Sequence, residues 1–92
     1  MKDVEKEVLL ITMEECSEVA QAISKVFRFG LDTVYKGESN RGHLEEELGD
    51  LRAMIKLLSD FGIADEAKIQ EASVKKLRKL RNWSTIFSNE VI

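Results

Sequence analysis

Two acidic stretches hold the side chains most able to do chemistry: EECSE at residues 14–18 and ELGD at 47–50. Glu15 and Glu18 stand three residues apart, and so do Glu47 and Asp50. On an α-helix that step puts both side chains of a pair on about one face, a turn apart. If two such helices run antiparallel as neighbours, the four carboxylates can converge. Like charges held close in a partly dry site repel one another, so some of the acids keep their protons or a cation neutralises them. An all-oxygen set with no Cys or His at ligand spacing suits a hard divalent ion, Mg2+ or Mn2+. Inward-facing carboxylates on helices are also how bundles build metal sites. For any one glutamate the plain alternative is a solvated helix face. Glu45 and Glu46 read that way, with Glu46 touching the rim of the site. The phase of both pairs with apolar stripes favours the metal.

Those stripes define the helices. From Asp3 to about Phe27, the residues Val4, Val8, Ile11, Ala22 and Val26 recur at three- and four-residue steps, and Glu15 and Glu18 keep the same rhythm. Gly30 is the natural stop. The stretch GLDTVYKGESNRG at 30–42 is long for a connection within a bundle, which makes it either functional or the seat of a short extra helix. Ser39 or Asn40 caps a second helix, with Glu45 and Glu46 expected in its first turn. Its apolar stripe is Leu44, Leu48, Leu51, Ile55 and Leu58; beside it runs the row Glu47, Asp50, Met54, Leu57 and Phe61. A helix apolar over so much of its circumference is buried on more than one side. Beyond Gly62, Asp65 caps a third helix carrying Ala67, Ile69, Ala72, Val74, Leu77 and Leu80 and ending near Leu80 or Arg81. Trp83, Ile86 and Phe87 in the tail are expected to dock on the bundle or on a neighbouring subunit. No repeat, low-complexity stretch or internal boundary interrupts the chain. The expected architecture is a single all-α domain over residues 1–92. It is an antiparallel bundle of three main helices, with room for a short fourth, completed by oligomerisation.

Composition narrows the function classes. A net charge of −3 gives no general attraction to nucleic acid or to an anionic membrane. No apolar run is long enough to span a bilayer, and the polar start MKDVEKE lacks a signal peptide's hydrophobic segment. Cys16 is the sole cysteine, so no internal disulfide forms, and a reducing cytoplasmic setting is the expectation. A lone bundle of 92 residues has little core, and self-association is a common remedy. A homodimer, or a tetramer made from two dimers, is expected.

The words EECSE and ELGD, in that order on successive helices, resemble the EExxE…ExxD signature of the MazG-like, all-α nucleoside triphosphate pyrophosphohydrolases. ECSEVAQAISKVFRFG, LEEELGDL and KLRNWS are similar to the short single-domain bacterial and phage members, and the likeness covers nearly the whole chain. Bare EExxE or ExxD occurs widely; the ordered pair in a helical chain of this size is specific. The interval between them is at the long end of the family's range. The resemblance implies Mg2+-dependent cleavage of a nucleoside triphosphate between the α and β phosphates, giving a monophosphate and pyrophosphate. It implies Glu15, Glu18, Glu47 and Asp50 as metal ligands, and Glu14 beside them or orienting the attacking water. It also implies that Lys76 and Lys79, near the end of the third helix, contact the phosphates. A metal-assisted phosphoryl reaction needs little covalent work from side chains, so the lack of a Ser–His or Cys–His pair is no objection.

Several other residues have two readings. Lys25, two turns beyond Glu18, reaches a triphosphate tail or simply solubilises the helix. Lys76 and Lys79 belong to VKKLRKLRNW, whose five basic residues also suit a helix C-terminus electrostatically. His43 is an outer ligand or a surface residue; Gln21 reads a base edge or faces solvent; Cys16 reads as packing. Leu80 stands where many relatives have Asn, and Arg52, Ala53 and Met54 where many have Trp or Tyr. These departures leave the metal chemistry alone and leave base and sugar recognition open, with Trp83 and Tyr35 read either as stacking residues or as core or interface. The competing functions are a phosphoribosyl-ATP pyrophosphohydrolase, a non-catalytic helical interaction module, and a nucleic-acid binder using residues 75–81.

Overall fold

The computed structural model describes residues 1–88 of the chain. The all-α reading holds: three helices account for most of the chain, α1 (Asp3–Phe29), α2 (Asn40–Asp60) and α3 (Glu66–Trp83). At the start of α1, the Glu5 carboxylate accepts a hydrogen bond from the Lys2 N–H at 2.7 Å, satisfying a donor the helix leaves over. The helix stops where Gly30 turns to φ +100° and its N–H donates to the Val26 carbonyl.

The long connection does not hold a fourth helix. It forms a two-stranded antiparallel hairpin, β1 (Val34–Tyr35) and β2 (Glu38–Ser39), with Val34 opposite Ser39 and Tyr35 opposite Glu38. The two turn residues, Lys36 and Gly37, have φ of +51° and +82°. Left-handed backbone at both positions gives a tight turn whose twist matches the strands, and a glycine in the second place makes it affordable. The segment is tied back to the helices by Asn40 N–H to Thr33 O and Arg41 N–H to Leu31 O. Arg41 also grips the Asp32 carboxylate through Nε and an Nη, at 2.8 and 3.1 Å.

Ser39 caps α2, its Oγ accepting from Gly42 N–H at 3.0 Å. The helix begins at Asn40, so its first turn carries no acid, contrary to the expected placement of Glu45 and Glu46. Asp65 caps α3 by accepting from Ala67 N–H, as its position implied, and α3 runs on to Trp83 rather than ending at Leu80 or Arg81.

The core lies between α1 and α2, where Val8, Ala22 and Met54 are buried. The row of α2 that contains Met54 is the one continuing from Glu47 and Asp50. The leucine stripe beside it is less covered: Leu48 and Ile55 remain 46 % and 37 % exposed. No residue of α3 is buried, and α3 makes only sparse contact with the other helices. Trp83 and Ile86 are exposed rather than docked on the bundle, while Phe87 is half-buried with the Arg81 guanidinium 4.8 Å from its ring. The molecule is a plate of 42 × 41 × 16 Å with a radius of gyration of 16.3 Å. A compact chain of this length would have a radius of about 12 Å.

Candidate metal centre

α1 and α2 bring their acids together where they cross. One carboxylate oxygen each from Glu15, Glu47 and Asp50 lie within 4.8 Å of one another. Higher on the pair, Lys25 and Phe29 of α1 share a cavity with Asn40 and His43 of α2. The α1 numbers rise as the α2 numbers fall, which is the antiparallel arrangement that convergence requires.

Glu15 is under electrostatic stress. Its Oε2 is sealed from solvent and has no hydrogen-bond partner among the described residues. Burial raises the pKa of its carboxyl above the ordinary value, and the negative charges of Asp50, Glu47, Glu18 and Glu14 raise it further. An acceptor oxygen shut away without a donor, facing two other carboxylates, lacks only positive charge. The residues present fit a divalent cation: all donors are hard oxygens, and the orphaned one belongs to the group.

A family model, the MazG nucleotide pyrophosphohydrolase domain, matches residues 4–84. The chain belongs to that family. Neither a curated protein nor a solved structure matches it. Membership makes the coarse assignment a nucleotide-cleaving hydrolase acting with a divalent metal. No helix among the described residues is long and apolar enough to cross a membrane.

The structure distributes the acids expected from sequence unequally. Glu15, Glu47 and Asp50 converge; Glu18 and Glu14 are exposed and stand outside the group of three, near enough to act on Glu15 by charge. Spacing alone does not separate Glu15 from Glu18, since Glu47 and Asp50 stand at the same step on α2 and both join; the rotation of α1 against α2 decides which acid of α1 does. Lys25 lines the neighbouring cavity instead of the carboxylate group. Lys76 and Lys79 are exposed on α3, which within one chain is not packed along α1. Cys16 is exposed, not packed, because its neighbour Glu15 takes the inward direction. Gln21 is exposed as well.

Sequence reading missed Glu38 and underrated His43. The imidazole Nδ1 lies 3.9 Å from Glu38 Oε2, and Nε2 lies 3.8 Å from Glu47 Oε1. Glu38, His43 and Glu46 also bring one ligand atom each within 4.8 Å. His43 thus connects the carboxylate group to the hairpin. The signal was present in VYKGES: two strand formers, then a glycine one place after a lysine, read as a two-residue turn.

Proposed function

We propose that this chain hydrolyses nucleoside triphosphates, deoxynucleotides included, at the α–β phosphate bond with Mg2+, giving a monophosphate and pyrophosphate for pool house-cleaning or regulation. The observation that carries the reading is the convergence of Glu15, Glu47 and Asp50 around an orphaned carboxylate oxygen in a MazG-family chain. These three would hold the cation, with Mn2+ as a substitute, and Glu18 completes the set by turning inward from the next turn of α1. When bound, the cation offsets the charge of the phosphates and acts as a Lewis acid.

The chain's own groups supply orientation and proton transfer. In the reaction a water oxygen bonds to phosphorus as the bridging P–O bond of the anhydride breaks; attack at the α or the β phosphorus gives the same products. One water proton must leave, and Glu14, exposed and near enough to act on Glu15 by charge, would be the carboxylate that accepts it. Lys25 reaches the phosphates from the cavity side.

The same reading includes a homodimer or a dimer of dimers in the cytoplasm. The chain exposes 7460 Å², against about 5,400 Å² for a compact monomer of its mass. The surplus is of the size that obligate partners cover. Leu48 and Ile55 on α2, and Val74 and Leu77 on α3, are among the apolar side chains left uncovered. A second copy packed there brings the α3 lysines Lys76 and Lys79 towards a neighbour's phosphates, which a lone chain does not do.

The test is product analysis with ribo- and deoxynucleoside triphosphates in Mg2+. Monophosphate plus pyrophosphate, abolished by a chelator, is expected. Diphosphate plus orthophosphate would refute the assignment.

A further inference from the structure

We infer that the cavity between the end of α1, the hairpin and the start of α2 receives the nucleoside half of the substrate, with its base stacked on Phe29 and Tyr35. The inference rests on the pyrophosphohydrolase reading and adds to it the place of the base. The cavity has a volume of about 420 Å³, within the range of small-molecule sites. Phe29, Val34 and Tyr35 line it yet remain 60 %, 64 % and 72 % exposed, so the chain leaves apolar and aromatic surface uncovered there. Each ring already carries a cation on one face: the Arg28 guanidinium lies 5.1 Å from the centre of Phe29, and Lys36 Nζ lies 5.4 Å from that of Tyr35. Their high exposure leaves ring surface on which a planar base can stack.

The polar lining is set up to read an edge. Asn40 donates through Nδ2 to the Gly30 carbonyl at 2.8 Å, which fixes its amide and leaves Oδ1 as an acceptor. Ser39 Oγ accepts from Gly42 N–H and keeps its own hydroxyl proton for a ligand. The Asp32–Arg41 pair and the backbone bonds of Asn40 and Arg41 hold the hairpin against α2, so the walls are preformed.

Position relative to the acids decides what kind of ligand fits. His43 lines the cavity and stands 3.8 Å from Glu47, a member of the carboxylate group; Lys25 lines it from the α1 side. A nucleotide with its base on Tyr35 therefore sends its 5′ phosphates past Lys25 and His43 to the acids. The α phosphate arrives first and its bridge to the β phosphate lies next to Glu47. That order is what cleavage between α and β demands; a site far from the base would favour the γ phosphate or none.

The experiment titrates the isotope-labelled full chain with the eight ribo- and deoxynucleoside monophosphates, and separately with inorganic tripolyphosphate plus Mg2+ as a probe without a base. At least one monophosphate is expected to shift amide signals within residues 29–43. Tyr35→Ala and Phe29→Ala are each expected to weaken its binding roughly tenfold, within the range of base–aromatic stacking. Both should leave tripolyphosphate affinity within about twofold, and Tyr35→Phe should restore the loss because it restores the ring. No monophosphate binding to the unaltered chain, amide shifts elsewhere, or equal losses for both probes would overturn the assignment. So would variants that keep nucleotide affinity but dissociate the oligomer, since a second copy would then be the occupant. Monophosphate binding at the hairpin without pyrophosphate release from any triphosphate would sink the enzymatic reading and leave this pocket standing.

Discussion

Replacing Glu15 by Gln should make the metal-free protein more stable and the metal-loaded protein less so. Three carboxylates with an oxygen each within 4.8 Å, and a Glu15 oxygen buried without a donor, raise the energy of the folded state when all are ionised. Glutamine keeps the volume, removes one charge, and offers an N–H to the Glu47 and Asp50 oxygens. The pH dependence has a definite sign. Burial and the neighbouring acids raise the Glu15 pKa on folding. Its contribution to stability is therefore fully present below the ordinary glutamate range and is lost as pH rises through the folded value. Metal-free wild type should lose stability on going from acid towards neutral pH over that window, and Glu15→Gln should not. Divalent metal reverses the comparison. A cation at a hundred times its Kd stabilises the folded chain by about 2.7 kcal/mol, which for a domain of this size raises Tm by roughly 10–20 °C. Thermal melts by circular dichroism, with Mg2+ and with chelator, at several pH values, measure all of this. Wild type should show the metal-dependent rise and Glu15→Gln should lose most of it, together with turnover. A lower Tm for Glu15→Gln in chelator, or an undiminished response to Mg2+, would refute the reasoning.

Two further outcomes follow from other parts of the molecule. Introducing glutamate at both Leu48 and Ile55, partly exposed on the uncovered side of α2, should convert the oligomer to monomer in sedimentation without loss of helicity; an unchanged mass would place the interface elsewhere. The hydrogen-bonded Arg41 guanidinium holds the Asp32 carboxyl below its usual pKa, so the stability this pair lends the hairpin is present above the ordinary aspartate range and lost as pH falls through the lowered value. Amide protection factors in residues 31–41, corrected for the intrinsic pH dependence of exchange, should fall over that acid window in wild type and should already be low at neutral pH in Arg41→Ala.

What the sequence settled by itself was local. Apolar periodicity marked the three helices, Ser39 and Asp65 marked two of their starts, and Gly30 marked the end of α1, because capping and left-handed backbone depend on residues next to one another. The order EECSE then ELGD carried the family. Periodicity, however, relates side chains only within one helix; it does not say how far that helix is rotated against its neighbour. Packing decided that Glu15 and not Glu18 joins Glu47 and Asp50, that the row through Met54 faces α1 while Leu48 and Ile55 look outward, and that Cys16 stays at the surface. The cavity needed still more, since Phe29, Tyr35, Asn40 and His43 come from a helix end, a strand and a helix start. Those four meet only once the Lys36–Gly37 turn has folded the hairpin back on the helix pair, a long-range arrangement that no interval along the chain encodes.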